Sequence, residues 1–306
     1  MVAFYYLFIA TAWCISLLPS KLLYVFSDLL YLITYYIFGY RKKVVINNLQ
    51  NAFPEKSANE IKCTAKKFYK NFCDIIVETI MTLTIPEKEL RARVRYINSE
   101  TLDELHHQYK NVIAVQGHYC NWEWTVMMGP ELKEQPAVQV NAQAEATANP
   151  NRHAVKHYAI YQPLSNKFFD QLIYRLRAKF GTELIHVNST YKTMLKNKGK
   201  PGFYQLGADQ TPPKDSEYWT SFLNQDTPVF LGIEKIAKAM DIPVVFINTQ
   251  RIKRGYYEVE FIKLFENPKE TSQYEITEKH VRTLEKIIRA EPANWLWSHR
   301  RWKHSR

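Results

Sequence analysis

A chain of 306 residues has room for one large domain or two small ones, and with only 9 glycines it lacks the loops of a glycine-rich nucleotide fold. Its 41 lysines and arginines against 30 acidic residues leave a formal charge of +11, which suits an acidic partner: anionic lipid, phosphorylated substrate, acidic protein or nucleic acid. The four cysteines, Cys14, Cys63, Cys73 and Cys120, form no CxxC pair and no metal-ligand spacing, which argues for a reduced, cytosol-facing protein.

Val2 to Leu18 is almost wholly apolar, Pro19-Ser20-Lys21 interrupts it, and a second apolar stretch runs from Leu22 to Phe38. Each is at the short limit of the roughly 17–25 residues that a membrane-spanning helix needs. No basic segment precedes the first, so it does not read as a cleaved signal peptide. The cluster Arg41-Lys42-Lys43 favours keeping the downstream chain in the cytoplasm. Residues 1–40 are therefore expected to form a membrane anchor or a shallow helical hairpin in the inner leaflet, with a buried core helix as the plain alternative. Residues 41–306 are expected to form one α/β domain.

Ser57-Ala58-Asn59-Glu60 reads as a capping box. The helix it opens carries Ile61, Ala65, Phe68, Phe72, Ile75, Ile76 and Thr79 on one face, a core-packing stripe. Glu78, near its end, has no evident role. His106 and His107 lie in a polar segment without ligand partners and read as solvated.

The apolar, β-branched run Val112-Ile113-Ala114-Val115 predicts a buried strand, and Gly117 permits a sharp exit from it. His118 follows at the strand's C-terminal end, where open α/β sheets place their ligands. Asn121 is suited to cap a short helix that carries Glu123. A near-neutral histidine can take a proton from a hydroxyl, and a carboxylate one helical turn away can steer its ring and stabilise the imidazolium. The motif offers no serine or threonine nucleophile, so its simplest use is to activate an external hydroxyl. Cys120 with His118 as a thiol hydrolase is the rival.

Asn141 to Pro150 has no apolar face and reads as a loop. Tyr158 to Tyr161 resembles a short strand. Asn166 then caps a helix with Phe168, Phe169, Leu172, Ile173, Leu176 and Phe180 on its apolar side and Gly181 as its stop. Lys167, Arg175, Arg177 and Lys179 crowd the remainder, suited either to anionic headgroups or to solvent. Strand-like runs recur at Leu184–Val187, Phe203–Leu206, Val244–Ile247 and Tyr256–Leu264, with helices at Gly232–Met240 and Ile276–Ala290. This alternation predicts a mixed α/β sheet covered by helices on both faces. Asp209-Gln210 begins where a strand ends, so Asp209 again falls on the ligand edge, or makes a local turn bond. Pro292 to Lys303 interleaves tryptophans with arginines, which suits a boundary between apolar and phosphate-bearing surfaces, or stacking on bases.

Four ordered elements resemble one family: Gly-His-x4-Glu at 117–123, Tyr-x-Pro-Leu-x-Asn at 161–166, Asp-Gln at 209–210, and Pro-x-x-Trp-x-Trp-x-His-Arg-Arg at 292–301. Phe222 to Ala239, with Pro228, Phe230 and Gly232, adds a fifth. Together these are similar to the late acyltransferases of lipid A biosynthesis, the lauroyl and myristoyl transferases of the bacterial inner membrane. Glu rather than Asp in the His-x4 motif points to this branch over the glycerol-phosphate acyltransferases. The resemblance implies a glycerolipid-acyltransferase-like α/β fold on the cytoplasmic side of the membrane. It implies an acyl carrier protein thioester as donor, whose acidity matches the basic chain, and a hydroxyl of a lipid A precursor, an anionic lipid, as acceptor. A lysophospholipid or other glycolipid is the alternative acceptor. It further implies His118 as base and Glu123 as its steering acid. Asp209, Gln210, Asn121 and Arg175 would contact substrate, and Arg300 and Arg301 would meet phosphates or an oxyanion. No metal, redox cofactor or nucleic acid is called for. Two departures stand out. Gln162 replaces a basic residue, and about 20 residues, roughly Gln139 to Tyr158, are inserted before the second motif. They suggest a changed acceptor, another cation such as Arg175 in the missing role, or an impaired enzyme.

Overall fold

The computed structural model describes residues 2–127, 155–304 and 306. The loop expected at 141–150 lies outside them. Two apolar helices, α1 (Val2–Ser16) and α2 (Ser20–Leu32), are followed by a π-helical turn (Ile33–Ile37), α3 (Lys42–Ala52) and the long α4 (Ala58–Met81). Ser57 and Glu60 form the expected capping box at the start of α4. The rest runs α5 (Glu87–Arg93), β1 (Val94–Tyr96), α6 (Glu100–Gln108), β2 (Asn111–Gln116), α7 (Trp122–Thr125), β3 (Lys156–Tyr161), α8 (Lys167–Ala178), β4 (Glu183–His186), α9 (Thr190–Lys196) and β5 (Gly202–Gly207). It closes with β6 (Tyr218–Phe222), β7 (Gln225–Val229), α10 (Gly232–Met240), β8 (Val244–Lys253), β9 (Tyr256–Phe265) and α11 (Glu275–Ala290).

Seven strands form one sheet in the order β1-β9-β8-β2-β5-β3-β4, and β6 with β7 form a separate hairpin. All pairs in the sheet are parallel except the β8–β9 hairpin. All six residues of β2 are buried, as its unbroken apolar run predicts for a central strand with both faces covered. The β6–β7 hairpin was not apparent from the sequence: its strands are short, Pro228 interrupts β7, and its turn uses Leu223 and Asn224, both at positive φ, in place of glycine.

No single helix among the described residues is long and apolar enough to cross a membrane, and the segments Ser20–Ile37 and Lys42–Ala52 meet at 87°. Three polar residues of α2 face the protein: Tyr24 donates to Glu78 at 2.9 Å, Ser27 to Asp74 at 2.6 Å, and Ser20 accepts from Arg93 at 2.6 Å. Asp28 and Asp74 both pair with Arg254, in the turn of the β8–β9 hairpin. Gly255 beside it has φ +76, and a Cβ there would collide with the Tyr24 hydroxyl. Leu22, Val25, Leu29 and Leu32 meanwhile face outward, each about half exposed or more. The aromatic rings of α1 reach α8, with Tyr5 on Phe168 at 4.8 Å and Phe8 on Phe169 at 5.1 Å between centroids.

Candidate active site

Parallel pairing builds the site. Gln116, the last residue of β2, lies opposite Gly207, the last of β5. The same offset carried two residues further sets His118 beside Asp209. Their side chains meet at 2.6 Å between Nδ1 and Oδ1, and the His118 backbone N–H donates to Oδ2 at 2.7 Å. The Trp295 indole N–H donates to that same oxygen at 2.7 Å. Gly117 is required for space: a Cβ would strike Leu284 and come within 3.3 Å of Asp209 Oδ2. The sharp turn expected at Gly117 is instead made by Cys120, at φ 50. Cys120 N–H donates to Asn294 O at 2.9 Å and Leu296 N–H to His118 O at 3.1 Å, so the C-terminal motif clamps both sides of His118 through its backbone.

Burial raises the Asp209 pKa, but the His118 charge and three donors outweigh it and bring the carboxyl down to about 2. Burial likewise lowers the pKa of His118, yet Asp209, with a smaller contribution from Glu123, leaves it above the ordinary histidine value. With its Nδ1 proton directed at Asp209, the ring presents an Nε2 lone pair. The Gln210 amide nitrogen lies 3.1 Å from Nε2, and the His118 side chain is 19 % exposed.

Glu123 departs from the expected role of steering the ring. Arg177 grips it through two hydrogen bonds, Nε to Oε2 at 2.8 Å and Nη2 to Oε1 at 2.7 Å, and the Trp122 indole adds a third at 3.0 Å. Burial would raise the Glu123 pKa, and the guanidinium more than cancels this, so the group stays ionised. The acid on the ring is Asp209, because the adjacent strand end reaches Nδ1 and the turn at Cys120 leads α7 away toward α8.

The remaining candidates separate. Gln210 lies at the ring. Asn121 is buried and cannot touch substrate as expected: it caps α7 by accepting from Trp124 N–H at 3.0 Å. Arg175 and Arg300 are exposed and away from the histidine contacts. Arg301 was expected at a phosphate or oxyanion but is 2 % exposed, donates to Pro228 O at 2.6 Å, and lines a cavity of about 10 Å³ with Asp209, Gln116 and His280. Burial lowers its pKa to about 10, opposed by the Asp209 charge. Arg177 is the site residue that sequence reasoning missed. Four positions after Ile173, it borders the apolar side of its helix, whereas Arg175 points away from it. Cys120 is buried, and burial pushes its thiol well above the ordinary range, which argues against the thiol-hydrolase reading. Gln162 is exposed just past the end of β3, on the same sheet edge. Among the described residues, no cluster of histidine, cysteine and carboxylate side chains could hold a metal ion.

The sequence profile of a family described as bacterial lipid A biosynthesis acyltransferase matches residues 1–304. A curated relative, lipid A biosynthesis acyltransferase 2 of Shigella flexneri, is 23 % identical over 263 residues, which cover 84 % of this chain and 76 % of that protein.

Proposed function

The chain belongs to the bacterial lipid A biosynthesis acyltransferase family, and from that premise we propose that it carries a fatty acyl group from an acyl carrier protein thioester to a hydroxyl of a lipid A precursor. The acyltransferase class and its place in lipid A biosynthesis follow from the family. The donor, the acceptor hydroxyl and the residue roles are the proposal. One observation carries the chemistry: an imidazole whose Nδ1 is held at 2.6 Å by a buried carboxylate while Nε2 faces the open side beside Gln210.

His118 Nε2 takes the acceptor's proton as the hydroxyl oxygen attacks the thioester carbonyl. Asp209 holds the ring and stabilises the imidazolium. When the tetrahedral intermediate collapses, the C–S bond breaks and the imidazolium returns the proton to the departing thiolate, leaving an ester and a free thiol. Gln210 meets the incoming hydroxyl, and the Glu123–Arg177 pair shapes the rim.

The outward apolar stripe of α2, continuous with Tyr36, Ile37 and Phe38, supports a seat at the cytoplasmic face of the bacterial inner membrane. Its inward polar bonds favour the shallow hairpin over a spanning anchor. The basic surplus fits both anionic lipid and an acidic carrier. Gln162, where the family resemblance leads one to expect a basic residue, favours a second reading: an acceptor with less anionic character, such as a lysophospholipid or another glycolipid.

The test incubates the protein with labelled acyl carrier protein thioester, lipid A precursor and phospholipid vesicles, and analyses the products by mass spectrometry. The precursor should gain one acyl ester, and His118→Ala should reduce the rate by about 10²–10⁴-fold. Label in phospholipid alone supports the second acceptor, and normal transfer by His118→Ala removes the mechanism. Val25→Glu with Leu29→Glu should release the protein from vesicles; full retention removes the hairpin reading.

A further inference from the structure

Glu78, near the C-terminal end of α4, is fully buried. Three donors converge on its carboxylate: Tyr24 OH at 2.9 Å on Oε1, and Asn121 Nδ2 and Tyr257 OH, each at 2.7 Å, on Oε2. Burying a carboxylate is costly, so a position that served only to satisfy hydrogen bonds would be met at lower cost by a neutral side chain. Burial raises the Glu78 pKa to about 7, against the pull of its three donors, and the ionised form that those donors favour only accepts.

Asn121 makes that distinction matter. Its Oδ1 must face the Trp124 N–H to cap α7, which requires Nδ2 to point the other way, at Glu78. A partner able to donate would tolerate the flipped amide, and the cap would be lost. Asn121 lies between His118 and Glu123, one residue after Cys120, whose left-handed backbone is disfavoured for a side chain with a Cβ. The turn that sets the two site residues apart is thus held, on the α7 side, by an amide whose orientation Glu78 selects, and on the His118 side by the backbone bonds to Asn294 and Leu296. Through Tyr24 the same carboxylate reaches α2, the helix with the outward apolar stripe.

We propose that Glu78 is a positioning residue: by accepting from Asn121 it locks the turn between His118 and Glu123 and fastens that turn to the N-terminal helix. The kinetic arm of its test rests on the acyl-transfer reading; the exchange arm does not.

The experiment compares the full-length wild type with Glu78→Gln, Asn121→Ala and the double variant Glu78→Gln/Asn121→Asp. Each is measured for acyl-transfer kcat and KM, for thermal midpoint, and for amide hydrogen exchange over residues 119–126. In Glu78→Gln the amide group can face Asn121. We expect kcat to fall about 10–100-fold with KM nearly unchanged. Exchange over 119–126 should rise about fivefold, as when a helix cap is lost, while the midpoint is held or raised. Asn121→Ala should show the same exchange and kcat change, and it decides the question should Glu78→Gln fail to fold. In the double variant, the carboxylate introduced at position 121 accepts both from Trp124 N–H and from the amide introduced at position 78, so exchange and kcat should recover. A Glu78→Gln protein that melts earlier yet turns over normally per folded molecule, with unchanged exchange, makes Glu78 merely structural and overturns the proposal. So does a double variant that recovers neither readout, or an Asn121→Ala protein with wild-type values. If the wild type transfers no acyl group, the functional reading fails, and the exchange pattern still decides the role of Glu78.

Discussion

The two flanks of His118 are built from different materials. On the inner flank, Asp209 sits two residues past β5, buried and fixed by the His118 backbone N–H and the Trp295 indole N–H. On the outer flank, Glu123 and Arg177 form a side-chain pair between two helices, with 13 % and 21 % of their side chains exposed, beside the exposed Gln210. A strand end in a parallel sheet fixes position within the ladder register, whereas two long side chains meeting across helices fix it only as well as their rotamers allow. The inner flank therefore sets the charge and tautomer of the ring. The outer flank sets what can approach it.

The hardest blow to this contrast would fall on the inner flank. Asp209→Asn keeps the shape but cannot hold the Nδ1 proton as a carboxylate does, and kcat should fall by about 10³–10⁴-fold. The pH profile supplies the sign. Activity needs neutral His118, so kcat/KM should rise with pH through a pKa lying above the ordinary histidine value, because Asp209 favours the imidazolium. Without the carboxylate that rising limb should move to lower pH. A limb that stays in place would mean that Asp209 does not set the ring's basicity. Stability gives an independent check: the Asp209 pKa is depressed, so its contribution is full above the ordinary aspartate value and is lost as pH falls through about 2.

On the outer flank the expected loss is smaller and shared. Arg177→Ala strands a partly buried Glu123 and should lower kcat about 10–100-fold, and Glu123→Gln should do nearly as much. Because the two act as a pair, the double variant should lose little more than the worse single one. Additive losses would instead mean that Glu123 acts on the ring directly, as the spacing alone suggested.

That suggestion shows what the sequence makes legible. Val112–Val115 and Phe203–Leu206 read as strands, and His118 and Asp209 read as residues past strand ends, because burial on both faces writes a run that is apolar throughout in the first and broken only by Gln205 in the second. That the two strands are neighbours is a fact of sheet order, carried by no local pattern, so the spacing points to the acid nearer in sequence, not the one nearer in space. Arg177 failed for a related reason: the composition of α8 announces basic residues, but only the packed face of the helix distinguishes Arg177 from Arg175. The caps Ser57, Asn121 and Asn166 were legible because capping is local chemistry. The outward apolar stripe of α2 was not, since Ser20, Tyr24, Ser27 and Asp28 acquire partners from α4, α5 and the β8–β9 hairpin.

The C-terminal arginines divide along the same lines. Arg301→Ala removes a buried donor to Pro228 O and the packing around it, and should cost about 1–3 kcal/mol, read as a lower thermal midpoint. Exposed Arg300→Ala should stay within about 0.5 kcal/mol. If Arg300→Ala raises KM for an anionic acceptor, the surface arginine meets substrate after all. If Arg301→Ala leaves the midpoint unchanged, its burial is not structural.

Cys120 should give the smallest effect, and its smallness is informative. The residue stands two positions after His118 in the most constrained turn of the site, where a reactive thiol would be conspicuous. Its thiol is buried and held protonated, and its own contribution to the turn runs through its backbone amide to Asn294 O, which a substitution of the side chain does not touch. Cys120→Ser should therefore keep acyl transfer within about threefold, the cost being that of burying a hydroxyl in place of a thiol. Trapping the donor on the protein is the sharper measurement. An acyl group that stays on wild-type protein after denaturation but not on the serine variant would place a covalent step at Cys120 and demote His118 from base for the acceptor to base for the thiol. Transfer with no trapped intermediate in either protein keeps the proton path on His118 and the direct attack of the acceptor hydroxyl.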